Sequence, residues 1–270
     1  MTAVTVIEGD GPLFLAQPHS GVHVPDDILA TLNPLGRELR DTDWHIPTLY
    51  DGLAPNASIV RAEFSRYVID PNRDPNGSSL YPGQNTTDLV PLTTFDGAPI
   101  WTHEPSAAEV ERRTATFHAA YHDALRREID RVKTVYGFAI LYDCHSIRSV
   151  VPHLFEGRLP DLNIGTNDGA ACAPALRDAV VAACARQDDY SHVLDGRFKG
   201  GWTTRHYGAP RDGVHAIQME LSQINYLKSE TPHFDYDDDA AAKLKIVLAD
   251  IFSELQRTID QDIMTEAARV

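Results

Sequence analysis

Short apolar runs alternating with helical periods predict an α/β protein, a three-layer sandwich with helices on both faces of one sheet. Three observations carry this. The run Gly137-Phe138-Ala139-Ile140-Leu141-Tyr142-Asp143 is nearly continuous in apolar residues, as a strand buried on both faces requires. Ser106-Ala107-Ala108-Glu109 has capping-box spacing, and Val110, Phe117, Tyr121, Leu125, Ile129 and Val132 follow near the helical period, which predicts a helix to about Val135. No internal repeat or low-complexity linker divides the 270 residues, so one domain spanning 1–270 is expected, with 43% hydrophobic residues to build its core.

The remaining elements follow in chain order. Val4-Thr5-Val6-Ile7 and Leu13-Phe14-Leu15-Ala16 flank the turn residues Gly9 to Pro12 and read as two strands, the second ending at Pro18-His19-Ser20-Gly21. Apolar positions between Leu39 and Leu53 approximate a helical face that Pro47 delays or kinks, with Asp41 and Asp43 at its N-terminal end. Residues 57–62 and Tyr67-Val68-Ile69-Asp70 are strand candidates. Residues 71–105 are too rich in Pro, Gly, Asn and Asp to form one regular element, and long loops inside compact domains are often functional. An Ala-rich helix over about 171–186, a strand at 215–220 and a helix over about 236–259 complete the alternation.

Charge and cysteine content exclude several classes of function. Lys and Arg number 24 against 39 Asp and Glu, a formal charge of -15, and no basic block is present, so nucleic acid and anionic membranes are repelled. A small anionic substrate stays compatible, because a few arginines in a pocket create a local positive field. Cys144, Cys172 and Cys184 fit neither a zinc knuckle nor a disulfide framework and read as reduced thiols. With no signal-like N-terminus and no long apolar run, a cytoplasmic location is expected.

In open α/β sheets the ligand crevice lies at the carboxyl ends of strands, which singles out His19, His145 and Glu220, each read as lying just beyond a strand. A catalytic zinc takes three protein ligands and leaves a position for water, so two histidines and a carboxylate suit it. The carboxylate is Asp43 or Asp41, with Asp43 preferred and Asp41 read as a helix cap; His23 is a rival for His19. Any one histidine among 12 is more often a loop residue satisfied by hydrogen bonds, and it is the pair with a nearby acid that favours metal. Glu220 is suited to act as general base and then general acid, or is an ordinary strand-end acid. Arg66, Asn72 and Arg73 cluster at a strand-to-loop transition, and Arg205 follows Gly200-Gly201; an arginine binds carboxylates bidentately, although a surface ion pair is the commoner fate of any single one.

At these residues the sequence resembles the N-formylglutamate deformylase (N-formylglutamate amidohydrolase) family. The resemblance runs through Pro18-His19-Ser20-Gly21, Asp41-Thr42-Asp43-Trp44, residues 65–73, Asp143-Cys144-His145-Ser146, Phe198-Lys199-Gly200-Gly201 and Gln218-Met219-Glu220-Leu221-Ser222. It implies an α/β/α sandwich with a mixed central sheet, zinc-peptidase-like (phosphorylase/hydrolase-like). It also implies one divalent metal ion, zinc first, and hydrolysis of N-formyl-L-glutamate to L-glutamate and formate, the last step of a histidine degradation route. By position it implies His19, His145 and Asp43 as metal ligands and Glu220 as the catalytic acid–base. Arg66, Asn72 and Arg73 look like the carboxylate site of related zinc carboxypeptidases, but the H-x-x-E of those enzymes is absent, since Val22 stands three residues after His19. Nitrogen and oxygen ligands suit zinc, iron, cobalt or nickel alike. Two rival readings are an amidohydrolase for another N-acyl amino acid or short peptide, and a small-molecule-binding protein without catalysis.

Overall fold

The computed structural model describes residues 2–78, 83 and 85–263, so residues 79–82 and 84 of the long irregular stretch lie outside the described residues. Strands β1 (Val4–Ile7), β2 (Leu13–Gln17), β3 (Ser58–Ala62), β4 (Ala139–Ile147), β5 (Leu162–Gly165), β6 (His192–Leu194) and β7 (Val214–Ser222) form one sheet in the order β1-β3-β2-β4-β7-β5-β6. The sheet is mixed: β3, β2, β4 and β7 run parallel, while β1 and β5 pair antiparallel with β3 and β7.

The strands are apolar on both faces because each face has its own helical layer. Leu13, Leu15, Ile140, Tyr142, Ile217 and Met219 enter one core with α5 (Pro174–Ala185) and α7 (Asp238–Thr258). Their alternate neighbours Phe14, Ala16, Ala139, Leu141 and Ala216 enter the other, where Tyr121, Leu125, Ile129 and Val132 of α4 (Ala119–Tyr136) pack. Successive side chains of a strand point to opposite faces, so a continuous apolar run supplies two cores at once. The expected α/β/α sandwich is thus the observed architecture.

Several elements differ from expectation. The helix read from Ser106 is α3 (Ala107–Arg113) joined to α4 through a π turn at Thr114–His118, and Ser106 caps it by accepting the Glu109 N–H at 3.3 Å. Between Leu39 and Leu53 only α2 (Ile46–Tyr50) forms, behind a short α1 (Asp26–Leu29). Residues 67–70 form a turn rather than a strand: Val68 N–H donates to Ser65 O, and Asp70 N–H to Leu89 O. The apolar character of Val68 and Ile69, both 0% exposed, comes from burial in the α4-side core. Strands β5 and β6 are short and carry no periodic signal of their own. Among the described residues no helix is long and apolar enough to cross a membrane.

The topology places the site. From β2 the chain moves to β3 on one side and later returns to β4 on the other, so the strand order reverses between β2 and β4. The carboxyl ends of two such strands diverge into a crevice. His19 follows β2 and His145 belongs to β4.

Candidate metal centre and active site

His145 and Glu220 lie within their strands, not beyond them. β4 and β7 continue to Ile147 and Ser222, and the register sets His145 directly beside Glu220. By the two-residue alternation, Asp143, His145, Gln218 and Glu220 share the face that Ala139, Leu141 and Ala216 give to the α4-side core. That face changes from apolar to polar where the helix layer ends.

His19, Asp43 and His145 meet there, each at most 3% exposed. The Nδ1 atoms of the two histidines are 3.2 Å apart, and Asp43 Oδ2 lies 3.2 Å from His145 Nδ1 and 3.8 Å from His19 Nδ1. A zinc ion at about 2.0–2.1 Å from three tetrahedral donors would set them roughly 3.3 Å apart. The outer ring nitrogens are also spoken for. His19 Nε2 is 2.7 Å from Asp70 Oδ1, and His145 Nε2 is 3.1 Å from Asp143 Oδ1. A ring proton donated from His19 Nε2 to Asp70 leaves its Nδ1 lone pair facing inward, the carboxylate–histidine arrangement of metal sites, while Asp143 lies at ion-pair distance from the His145 ring. Two ring nitrogens and a carboxylate converging at this distance need a cation or a proton among them. Asp43 Oδ1 is buried without a hydrogen-bond partner. The residues present therefore fit a divalent cation.

The backbone explains why these three converge. Asp43 N–H donates to His19 O at 3.1 Å, and Asp43 Oδ2 accepts Ser146 N–H at 3.0 Å, tying the turn to both strands. Asp41 does not cap α2, whose N-cap is His45 with φ 59°. Asp41 Oδ2 instead accepts Tyr67 OH at 2.6 Å and Phe95 N–H at 2.8 Å, which pins residue 95 to the site wall. His23 is half-buried and outside the triad.

Electrostatics follow from burial and partners. Burial alone would push the Asp43 carboxyl up, but the hydrogen bonds and charges of His145 and His19 hold it below the usual range. Burial opposes the charged His145, yet Asp143 and Asp43 hold it well above an ordinary imidazole. Asp70 is kept well below the usual carboxylate range, despite its burial, by His19, Arg66 and Arg73. Glu220 has the opposite fate: burial dominates and pushes its carboxyl up to about 8. Its Oε2 accepts from Gln218 Nε2 at 3.2 Å, and Gln218 Oε1 accepts Gly201 N–H at 2.7 Å.

Of the arginines, Arg66 is 6% exposed and committed. It donates to Asp70 Oδ2 at 2.8 Å and Asp41 O at 3.2 Å, lies 3.5 Å from Asp43 Oδ1, and stacks over Phe95. Asn72 puts Nδ2 at 3.1 Å from His145 Nε2, while Oδ1 accepts Thr203 N–H at 2.8 Å. Arg73 lines the same cavity and donates to Thr87 O and Oγ1, each at 2.9 Å, and to Asn72 O. Arg205, on α6 (Trp202–Tyr207), donates to Gly200 O at 2.8 Å and is not part of the cavity lining. Gly201 has a clear role, because a Cβ there would fall on the Asn72 amide.

Sequence reasoning did not single out four contributors. Asp70 and Asp143 orient the two histidines; Asp143 stood at the end of an apolar run, and Asp70 had no signal beyond its neighbourhood to Arg66. His118 and His122 place Nε2 at 3.0 Å from Arg73 O and 2.7 Å from Pro71 O, bracketing Asn72 from behind. Their four-residue spacing on one helix was the available signal.

Fold and site together define an α/β sandwich protein with a buried donor set suited to a metal ion. The family model for N-formylglutamate amidohydrolase matches residues 11–227. The N-formylglutamate deformylase of Pseudomonas putida is 46% identical over 251 residues, 92% of this chain and 93% of that protein. Its counterpart in Pseudomonas aeruginosa is 46% identical over 250 residues, with the same coverage. The crystal structure of N-formylglutamate amidohydrolase from Ralstonia eutropha JMP134 superposes with a TM-score of 0.78 at 25% identity, covering 96% of this chain and 97% of that one. A gene product of Agrobacterium tumefaciens, at 18% identity and TM-score 0.73 over 97% of each chain, shares the fold. The chain belongs to the N-formylglutamate amidohydrolase family.

Proposed function

We propose that the protein hydrolyses N-formyl-L-glutamate to L-glutamate and formate with one divalent cation, zinc first, held by His19, Asp43 and His145. The observation that carries this reading is that one cavity is lined at once by both histidines, by Glu220 and by arginines. When bound, the cation supplies a Lewis acid for the amide carbonyl and lowers the pKa of water.

The chain's own residues do the rest. Glu220, beside His145, takes a proton from the attacking water as its oxygen bonds to the formyl carbon. It then delivers that proton to the amide nitrogen as the C–N bond breaks, releasing the amine and formic acid, which loses its proton to the amine or to water to become formate. Asp70 keeps the His19 ring proton on the outer nitrogen, Asp143 places a negative charge beside the His145 ring, and Arg66 ties Asp70 to the Asp43 turn. Asn72 and Arg73 face the anionic end of the substrate; Arg205 contributes through the Gly200 turn that it anchors. The positive lining attracts a small anion under a surface of net charge -15, which disfavours nucleic acid and membranes as partners. The same reading makes 1–270 a single catalytic domain, working at the end of histidine degradation. Three free, buried cysteines support a reducing cytoplasm as its setting.

The test is formate release. Protein stripped with a chelator and reloaded with one equivalent of zinc is given N-formyl-, N-acetyl- and N-carbamoyl-L-glutamate. Formate release from the formyl substrate, restored by metal, is the expected result. Equal turnover by the stripped protein, or none by protein loaded with zinc, iron, cobalt or nickel, overturns the proposal.

A further inference from the structure

We infer that Phe95, held in place by Asp41 and backed by Ile147, is the wall that confines the acyl group to formyl. This rests on the hydrolytic reading above and names the residues that set its acyl specificity. The cavity has a floor and a mouth. Its buried lining is polar at His19, Arg66, Asn72, His145, Gln218 and Glu220, and the apolar side chains of that floor are Phe95, 6% exposed, and Ile147, 4% exposed. The half-buried Arg73, Thr87, Leu154 and Phe198 stand at the mouth. A reacting carbon has to lie on the floor, between the triad and Glu220, while a charged amino-acid portion is directed to the mouth. A secondary amide is planar and trans, so the substituent on its carbonyl carbon points away from the carbon on its nitrogen. The acyl substituent is therefore driven into the floor.

The strands say what it meets there. Ile147 follows His145 by two residues on β4 and shares its face, one step beyond the His145–Glu220 pair. Asp143 and Gln218, both polar, lie one step behind that pair. Phe95 and Ile147 belong to one small core with Val151 and Leu159, which backs the wall. The ring is braced from three directions. Phe95 N–H donates to Asp41 Oδ2 at 2.8 Å, and the same oxygen accepts Tyr67 OH at 2.6 Å. The guanidinium carbon of Arg66, whose Nη1 is 3.5 Å from Asp43 Oδ1, lies 4.7 Å from the ring centroid. Bonds from Gly97 N–H to Thr94 O at 2.9 Å and from Thr94 N–H to Ala98 O at 2.8 Å close the turn that carries the ring. A formyl hydrogen needs no room against such a wall, whereas a methyl has to displace a packed, anchored side chain. The two acids of Asp41-Thr42-Asp43 thus divide the work: Asp43 offers its oxygen to the cation, and Asp41 is a positioning residue for the wall.

The experiment compares zinc-loaded wild type, Phe95→Leu, Phe95→Ala and Asp41→Ala on N-formyl-, N-acetyl- and N-propionyl-L-glutamate. A formyl amide is intrinsically the more reactive, so the decisive quantity is how each variant changes the acetyl-to-formyl ratio of kcat/KM. One methylene of misfit is worth roughly 10–200-fold, so Phe95→Ala should raise that ratio at least about tenfold and bring propionyl turnover with it. Phe95→Leu, which keeps the core filled, should raise it less. Asp41→Ala should move the ratio in the same direction with zinc content at the wild-type level, and Asp41→Asn, which keeps an acceptor oxygen, should restore most of it. A ratio unchanged or lowered in both Phe95 variants overturns the wall, and one unchanged in Asp41→Ala overturns the positioning role. Absence of wild-type formyl turnover would sink the hydrolytic reading instead. Calorimetric binding of N-acetyl- and N-propionyl-L-glutamate to the same proteins then decides the wall separately. A preference that shifts towards propionyl in Phe95→Ala supports it; the wild-type preference kept overturns it.

Discussion

Replacing Glu220 with Gln separates the chemistry of this site from its architecture, because the two are expected to move in opposite directions. Glu220 is 8% exposed, and Gln is its neutral isostere, so the Gln218 amide keeps an acceptor. Catalytically the variant lacks a group that can take a proton. General acid–base groups contribute on the order of 10²–10⁴ in rate, or about 3–5 kcal/mol of barrier, so turnover should fall by that factor while zinc content stays at the wild-type level. Stability should respond with the other sign. The carboxyl is raised by burial from 4.5 to about 8, so in metal-free protein the folded state holds a proton that the unfolded chain has released. Glu220 thus costs no stability below pH 4.5 and an increasing amount as pH rises towards 8. Gln does not titrate. The stability of the metal-free variant minus that of metal-free wild type should grow through this window, by at most about 1.4 kcal/mol per pH unit. Formate release at saturating zinc and urea unfolding of stripped proteins at pH 5 and 8 measure the two effects. Turnover within tenfold of wild type refutes the catalytic role; a stability difference that is flat or shrinks with pH refutes the burial argument.

Other perturbations test the supporting structure. Asp43→Asn removes the anionic donor from the triad and should reduce zinc retention on dialysis at least tenfold, read by elemental analysis, with the fold intact by circular dichroism. Gly201→Ala places a methyl on the Asn72 amide and should lower kcat/KM by about tenfold or more with less than about 2 kcal/mol lost in unfolding; normal kinetics would mean that the Asn72 contact is dispensable. Glu109→Gln probes the helix start far from the chemistry. The Glu109 carboxyl is lowered to about 2, first by its hydrogen bond with Arg112, with burial opposing and Arg113 assisting. Arg113 is 2% exposed and also donates to Val68 O. The loss should be about 1–3 kcal/mol at pH 7 and should vanish as pH falls from 4.5 towards about 2, because a depressed carboxyl stabilises only above its unfolded pKa. Urea midpoints at pH 7 and 3 check it.

Much of the fold was legible because burial on two faces leaves a mark in one dimension. The apolar runs at 13–16 and 137–143, bounded by turn residues, are what strands of a sheet covered on both sides require. Polar continuations of the same strands carried no such mark. Strands β4 and β7 extend through His145 and Glu220 because their neighbours complete the hydrogen-bond ladder, and a ladder partner is not a property of local sequence. The turn at 67–70 misled for the converse reason: Val68 and Ile69 are apolar to fill a core, in a segment whose backbone bonds to Ser65 and Leu89.

The sequence by itself determined the sandwich, the anionic surface and the candidate donors His19, Asp43, His145 and Glu220, since residue type and burial pattern are local properties. Only the tertiary structure decided which atoms converge. It chose Asp43 over Asp41 through the backbone ties to His19 and Ser146, gave Asp70 and Asp143 to the histidine rings, and assigned Arg66 to the ligand turn. It also brought Arg197 beside a segment more than a hundred residues away in the chain. Convergence depends on the order and register of β2, β4 and β7, which long-range pairing sets and no short window of residues encodes.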